Sequence, residues 1–260
     1  MSLCDYNSGR KPRILIANDD GIGAKGLRSL VDYVSDLGDI RVVAPDSARS
    51  GQSGAITSGV PLFLKKMDSF SGTEFYACNG TPVDCVKLAL HVFSEFRPDL
   101  ILSGINHGSN AGVSILYSGT MGAVLEGCVV NIPSVGFSLL SHDADADFSL
   151  CRDYVRRIVT RVLSSGLPDG VCLNVNFPIL PVRGLRVCRQ ARGYWTEEYE
   201  LRVGDKGREE YFLTGHFVNT EPEATDTDEY FLANRYVSVV PCLCDQTAYD
   251  RISEISSLFD

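Results

Sequence analysis

Several features that mark common classes of protein are missing from this chain of 260 residues. Positive charge is scarce. The 24 Lys and Arg stand against 33 Asp and Glu, and the net charge of -9 argues against a nucleic-acid polymer as partner, because phosphate backbones are bound through basic side chains. No apolar run approaches the roughly 18 residues that a membrane-spanning helix needs, so we expect no membrane association.

Cysteine is present nine times, but the number is odd and no Cys-x-x-Cys pair occurs. Most cysteines lie in apolar surroundings and are expected to be small buried side chains in a reduced, cytoplasmic protein. Residues 1–12 lack the apolar centre of a signal peptide, and we expect them to form a disordered leader.

A Gly-x-Gly-x-x-Gly motif is also missing where the first strand ends, which argues against NAD or FAD. The short apolar run of residues 13–17 is typical of a strand buried on both faces, and Asn18-Asp19-Asp20-Gly21 follows it. Two adjacent carboxylates repel each other, and a hard cation such as Mg²⁺ or Mn²⁺ removes that penalty. The alternative is a plain polar turn after a strand.

Strands and helices alternate over residues 13–183, which predicts a doubly wound, mostly parallel α/β sheet. Residues 184–245 contain strand patterns without intervening helices and predict a β-rich appendage with an oligomerisation hairpin. Residues 246–260 are predicted to form a C-terminal tail with a loose helix.

Further polar, Gly-rich segments follow other predicted strands, and each has a structural alternative. The loop of residues 47–58 could hold an oxyanion or a metal, or be a flexible surface loop. Thr81 and Pro82 suit the start of a helix, where capping alone would explain them. The strand of residues 100–102 runs into a loop with Asn106 and Asn110. His107 lies there too, and a lone loop histidine is more often structural than catalytic.

Six stretches, taken together and in order, resemble the SurE family of metal-dependent nucleotidases. They are residues 14–21, 42–46 with 49–51, 80–85, 103–110, 117–123 and 236–241, and the likeness covers roughly residues 13 to 244. The chain departs from the family pattern in two places: its last strand has Val240-Pro241-Cys242 where the family often has Thr-Pro-Leu, and it lacks the His that some members carry close to the acidic segment of residues 226–230.

The resemblance implies a Rossmann-like catalytic core, an exchanged C-terminal hairpin and a homodimer or homotetramer. It implies hydrolysis of nucleoside 5′-monophosphates, with 3′-nucleotides and short polyphosphate as further candidates. It also implies one divalent cation per subunit, Mg²⁺ or Mn²⁺, held by the positions Asp19, Asp20, Ser50 and Asn106.

Asp19 is our candidate for the nucleophile or base, with Asn18 as a second catalytic residue. A carboxylate nucleophile would give an aspartyl-phosphate and an activated water would not, and the sequence leaves both open. The residues expected to bind the substrate come from the same polar loops: Gly51, Ser53, Gly80, Thr81, Gly104, Gly108, Asn110, Ser118, Gly119 and Thr120.

Two other functions fit part of this pattern. A nucleotide- or metal-binding module would keep Asp19 and Asp20 but show no turnover. A phosphatase of the haloacid-dehalogenase type needs Asp-x-Asp, and the adjacent carboxylates of this chain disfavour it.

Overall fold

The structure, a computed structural model, describes residues 9–179 and 181–260. These residues contain thirteen strands and six α-helices. The strands are β1 Arg13–Ala17, β2 Asp39–Pro45, β3 Leu64–Lys66, β4 Glu74–Cys78, β5 Leu100–His107, β6 Ser134–Leu139, β7 Val171–Phe177, β8 Gly184–Val187, β9 Gly193–Thr196, β10 Tyr199–Val203, β11 Glu209–Leu213, β12 His216–Asn219 and β13 Tyr236–Leu243. The helices are α1 Lys25–Val34, α2 Pro82–Val92, α3 Gly119–Val129, α4 Arg152–Ser165, α5 Asp228–Ala233 and α6 Ile252–Ser256.

Nine strands form one sheet in the order β3-β4-β2-β1-β5-β6-β7-β13-β8. The six consecutive strands β4-β2-β1-β5-β6-β7 of the sheet run parallel to one another. Strand β3 pairs antiparallel with β4, and β13 pairs antiparallel with β7. From β1 the chain moves outward through β2 and β4, then returns to β5 on the other side of β1. The strand order therefore reverses between β1 and β5, and in such sheets the ligand crevice lies at that reversal. The predicted fold class is confirmed.

Helices cover both faces of the sheet, which is why the central strand β1 is apolar over residues 14–17. Ile14, Leu15 and Ile16 of β1 are all buried, with their side chains alternating between the two faces. Helices α1 and α4 pack on one face, where Leu27 and Val159 join the same apolar core. Helices α2 and α3 pack on the other face. None of the described helices is long and apolar enough to cross a membrane.

The segment 184–245 is divided between the core sheet and two separate hairpins. Strands β8 and β13 extend the main sheet past residue 183, whereas β9–β12 and β10–β11 form two-stranded sheets of their own. The division at residue 183 stays a prediction, with the addition that both ends of the appendage belong to the core sheet.

Of the predicted leader, residues 1–8 lie outside the described residues. Arg10 in the remainder makes two hydrogen bonds to the Asp99 carboxylate, at 2.7 and 2.8 Å.

Candidate active site

The candidate site lies at the carboxyl ends of β1 and β5, on the two sides of the strand reversal. Asn18, Asp19 and Asp20 follow β1 directly. The sequence predicted that the next strand ends at Leu102, and this was wrong, because β5 continues to His107. After an irregularity beyond Ser103, Asn106 and His107 resume pairing with β6. Asn106 is therefore held by the sheet and does not lie in a loop.

Asp19 is the most enclosed carboxylate of the site. It is 3% exposed, and its Oδ1 accepts a 2.5 Å hydrogen bond from the Thr120 hydroxyl. Burial, with the charge of Asp20 adding to it, raises the pKa of Asp19 to about 6, although the Thr120 hydrogen bond acts in the opposite direction. Gly119 permits this arrangement, because a Cβ at that position would lie 2.8 Å from the Asp19 Cβ.

Asp20 faces β5. Its Oδ2 accepts the backbone N–H of His107 at 3.1 Å and lies 3.2 Å from the His107 Nδ1. The other oxygen, Oδ1, has no hydrogen bond to the described part of the chain.

Two asparagines adjoin these contacts in the chain, since Asn18 precedes Asp19 and Asn106 precedes His107. The Asn18 Nδ2 donates to the Gly21 carbonyl at 2.9 Å, and its buried Oδ1 has no partner among the described residues. The Asn106 Nδ2 donates to the Gly108 carbonyl at 2.9 Å, which leaves its Oδ1 available.

These oxygens suit a hard divalent cation, since Mg²⁺ and Mn²⁺ prefer carboxylate and carbonyl ligands. The unpartnered Asn18 Oδ1 and the neighbouring charges of Asp19 and Asp20 are both conditions that a cation would relieve. Across residues 9–179 and 181–260, no group of three or more His, Cys, Asp and Glu side chains could hold a metal ion. A cation here would therefore depend on neutral oxygens as well as on the two carboxylates.

The loop after β2 is attached to Asp19 through the backbone. The Arg49 N–H donates to the Asp19 carbonyl at 2.7 Å, which holds the backbone just before Ser50 and Gly51 against that of Asp19. Both of these residues are exposed. Ser53 closes the loop onto the turn before α3, because its hydroxyl donates to the Leu116 carbonyl at 2.6 Å.

Arg49 itself was given no role in the sequence analysis. Its Nη2 donates to the Asn79 carbonyl at 3.1 Å, and its buried Nε has no partner among the described residues. The sequence did contain an indication that Arg49 matters, since it is the only basic residue between Ser47 and Ser58.

Helices α2 and α3 both begin near this loop, and α2 has the capping expected from the sequence. Thr81 and Asp84 form a reciprocal capping box, and the Thr81 hydroxyl also donates to the Ala55 carbonyl at 2.7 Å. Ser118 caps α3 by accepting the Met121 N–H. Gly80 is packed so closely that a Cβ would lie 2.7 Å from the Asp84 carboxylate. The N-termini of two helices thus lie close to the Ser50–Ser53 loop, a setting that favours an anion.

The structure also contains a network that the sequence analysis missed. The Asn110 Nδ2 donates to the Ser138 hydroxyl at 2.7 Å, and its N–H donates to the Asn176 Oδ1 at 2.8 Å. Asn174 donates to the Asn110 carbonyl at 2.8 Å and accepts from the Asn176 Nδ2 at 3.0 Å. All four side chains are buried. The sequence contained one indication of this network, since Asn174 and Asn176 interrupt the otherwise apolar strand β7.

Gly104 lies at the irregular point of β5. Its φ of +118° is one that other residues rarely adopt, and a Cβ there would lie 2.2 Å from the Phe137 carbonyl oxygen. Of the predicted site residues, Asp19 contacts Thr120 and packs against Gly119, while Asp20 contacts the residue that follows Asn106. Gly104, Gly108 and Asn110 lie in β5 or directly after it.

The fold and the site together define a doubly wound α/β protein with a carboxylate-centred site at the strand reversal. A family model described as survival protein SurE matches residues 14–197. The chain belongs to this family.

Similar proteins agree over almost the whole chain. A 5′-nucleotidase SurE from Phocaeicola vulgatus is 50% identical over 248 residues, which are 95% of this chain and 96% of that protein. A 5′-nucleotidase SurE from Christiangramia forsetii is 48% identical, over 95% of this chain and 97% of its own. The crystal structure of SurE protein from Aquifex aeolicus superposes with a TM-score of 0.81 at 34% identity, covering 96% of this chain and all of the other.

Proposed function

We propose that this chain is a metal-dependent 5′-nucleotidase that hydrolyses the phosphate monoester of nucleoside monophosphates. The observation that carries the proposal is the pair of carboxylates Asp19 and Asp20 at the strand reversal, next to two helix N-termini. The names of the similar proteins from Phocaeicola vulgatus and Christiangramia forsetii support it.

We assign one divalent cation, Mg²⁺ or Mn²⁺, to Asp19, Asp20, Asn106 and Ser50. When bound, such an ion supplies Lewis-acid activation of the phosphoryl group and of a water molecule. The Asn106 Oδ1 supports the assignment, because the Asn106 Nδ2 is engaged with the Gly108 carbonyl and the amide oxygen is left for a cation that prefers oxygen ligands.

Asp19 is our candidate for the group that attacks the phosphorus or takes the proton from the attacking water. A pKa of about 6 means that a large part of it is ionised at neutral pH even without a cation. Thr120 fixes the orientation of its carboxylate through the hydrogen bond to Oδ1. Asn18 holds the turn that follows, by donating to Gly21.

The phosphoryl group is assigned to the space between the Ser50–Ser53 loop and the start of α3. Backbone N–H groups of Gly51 and Gly119 and the hydroxyl of Ser50 would neutralise its charge. The positive charge of Arg49 in the same loop is paired with the Asp46 carboxylate, 3.5 Å from its Nη2. Gly80, Thr81, Ser118, Gly104, Gly108 and Asn110 then act mainly by shaping the walls, since the Thr81, Ser118 and Asn110 side chains are already engaged in hydrogen bonds.

We further propose that the protein is a cytoplasmic homo-oligomer that assembles through the β10–β11 hairpin. The strand register places five apolar side chains on one side of this hairpin, and each is 49% to 72% exposed. We call this surface the hairpin face; it consists of Tyr199, Leu201, Val203, Tyr211 and Leu213. Exposed apolar patches of this kind mark interaction sites, and the same patch on a second copy would cover it.

The test is phosphate release from a panel of 5′- and 3′-nucleoside monophosphates and short polyphosphate. The protein is first treated with a chelator and then assayed with Mg²⁺, Mn²⁺ or no metal. Metal-dependent release from 5′-nucleotides is the expected result, and the Asp19→Asn variant serves as matched control for a contaminating phosphatase. Nucleotide binding without release under any metal would contradict the proposal and favour a binding module.

A further inference from the structure

In the described part of the chain, all hydrogen bonds to the Asp20 carboxylate come from His107. Both its backbone N–H, at 3.1 Å, and its imidazole Nδ1, at 3.2 Å, reach the same oxygen, Oδ2. The two residues lie on opposite sides of the strand reversal, so this contact joins the end of β1 to the end of β5. Because Oδ2 is engaged, Oδ1 is the oxygen that remains for another partner.

The imidazole is fixed in this position by its surroundings. Its ring meets Phe148 edge to face, with centroids 5.0 Å apart, and Phe148 is 2% exposed. The Nε2 atom is buried and has no partner in the part of the chain that the structure describes. Since a carboxylate only accepts hydrogen bonds, the tautomer that fits carries its proton on Nδ1.

The same geometry argues against His107 as a general base. A base must reach the proton that it removes, directly or through a water molecule. Nδ1 is engaged with Asp20, and Nε2 is enclosed next to Phe148. The ring can therefore orient a carboxylate, but it has no free nitrogen to offer a substrate.

Asp20 needs such an orienting contact because of its neighbour. The charges of Asp19 and Asp20 repel each other, and Asp20 is the more exposed of the two. Without a donor on the β5 side, its side chain could rotate into solvent and away from Asp19. Hydrogen bonds to the outer oxygen of a ligating carboxylate are a common way to prevent this.

We propose that His107 is a positioning residue that holds Asp20 with Oδ1 free for the divalent cation. This rests on the proposed function, since it presupposes that a cation binds at Asp20. The backbone N–H of residue 107 persists in any variant, so substitution isolates the contribution of the imidazole.

The experiment measures Mn²⁺ affinity on the chelator-treated full chain, by calorimetry or by the electron paramagnetic resonance of free Mn²⁺. His107→Leu is expected to weaken Mn²⁺ binding by roughly 10–100-fold, the usual effect of losing an outer-shell partner. His107→Asn is expected to restore most of the affinity, because its amide nitrogen can donate from nearly the place of Nδ1. Phosphate release by His107→Leu should approach the wild-type rate as Mn²⁺ is raised.

His142→Leu is the matched control. His142 packs on Gly108, one residue from His107, yet makes no hydrogen bond to Asp20 among the described residues. It should leave Mn²⁺ affinity unchanged.

Two results would overturn the proposal: wild-type affinity in His107→Leu, or an equal loss in His107→Leu and His107→Asn. A failure of the proposed function looks different, because the wild-type protein would then release no phosphate with any metal. If it also bound no Mn²⁺, the role of His107 would fall with the metal site. A third result would contradict the role of His107 alone: the wild-type protein binds Mn²⁺, Asp20→Asn loses this binding, and His107→Leu keeps it.

Discussion

The carboxyl edge of the sheet and the β10–β11 hairpin depart from ordinary burial in opposite directions. At the sheet edge, polar groups are buried: Asp19 is 3% exposed and Asn176 is fully buried. On the hairpin, apolar groups are exposed, with Leu213 at 72% and Val203 at 71%. Buried polar groups and exposed apolar patches are the two observations that most often carry a function. The first region has the features of chemistry and the second those of assembly.

The largest expected effect of a single substitution is at Asp19. Asp19→Asn keeps the size of the side chain and an acceptor for Thr120 but removes the charge, and we expect kcat to fall by roughly 10²–10⁴-fold. The measurement is phosphate release from a nucleoside 5′-monophosphate at saturating Mn²⁺. Activity close to that of the wild type would remove Asp19 from the mechanism and weaken the contrast between the two regions.

The same variant lowers activity but should raise the stability of the metal-free protein. The folded pKa of Asp19, about 6, lies above its ordinary value of 3.8, so the folded state holds this proton more tightly than the unfolded chain. The stability contributed by this group therefore falls as pH rises from about 4 to 6 and stays low above that. Since one pKa unit corresponds to about 1.4 kcal/mol, Asp19→Asn should be more stable than the wild type at pH 8 by up to about 3 kcal/mol.

Urea denaturation with a chelator present, at several values between pH 4 and pH 8, measures this difference. The advantage of Asp19→Asn should grow with pH. A difference that is constant over this range would show that Asp19 does not titrate as its burial implies.

Gly119→Ala tests how closely the site is packed. A Cβ at residue 119 would lie 2.8 Å from the Asp19 Cβ and 3.1 Å from its Oδ2, so the carboxylate must move. Misplacement of a reacting group by about 1 Å can cost roughly 10²-fold in rate, and we expect a loss of that order in kcat. Gly23→Ala is the matched control, because a Cβ at Gly23 would meet nothing within 4 Å. Equal activity of the two variants would count against a tightly packed site.

The smallest effect on catalysis is expected from the hairpin face. Changing both Tyr199 and Leu213 to Ser should leave phosphate release per chain nearly unchanged, since exposed substitutions usually alter the stability of the folded chain by about 0.5 kcal/mol or less. The same variant should shift the oligomer to a smaller species in light scattering. If it assembles like the wild type, the hairpin face is not the interface. If it loses activity, the two regions are coupled.

Much of the fold followed from local patterns in the sequence. The apolar run before Asp19 predicted β1. The residues Thr81, Pro82 and Asp84 predicted the start of α2, because capping depends on neighbours in the chain. The doubly wound α/β class of the sheet followed from the alternation of strands and helices. These features need no knowledge of distant contacts.

What the sequence analysis missed depends on pairing between distant segments. Strand β13 pairs with β7 and β8 in the core sheet. The alternation of residues within a strand does not predict which strands will be its neighbours. The continuation of β5 to His107 depends on β6, which re-forms its pairs beyond a Ser-Gly that is typical of a loop. The positions of Asn174 and Asn176 beside Asn110, and of His107 beside Asp20, follow from these pairings.

The network of Asn110, Ser138, Asn174 and Asn176 has a consequence for the behaviour of the cleft in solution. Amides and hydroxyls neither gain nor lose protons between pH 4 and 9. This wall of the cleft therefore keeps one pattern of donors and acceptors while Asp19, which follows β1, changes its charge. Acidification switches the chemistry of the cleft without reshaping this wall, so a protein inactivated by mild acid should recover as soon as the pH is restored.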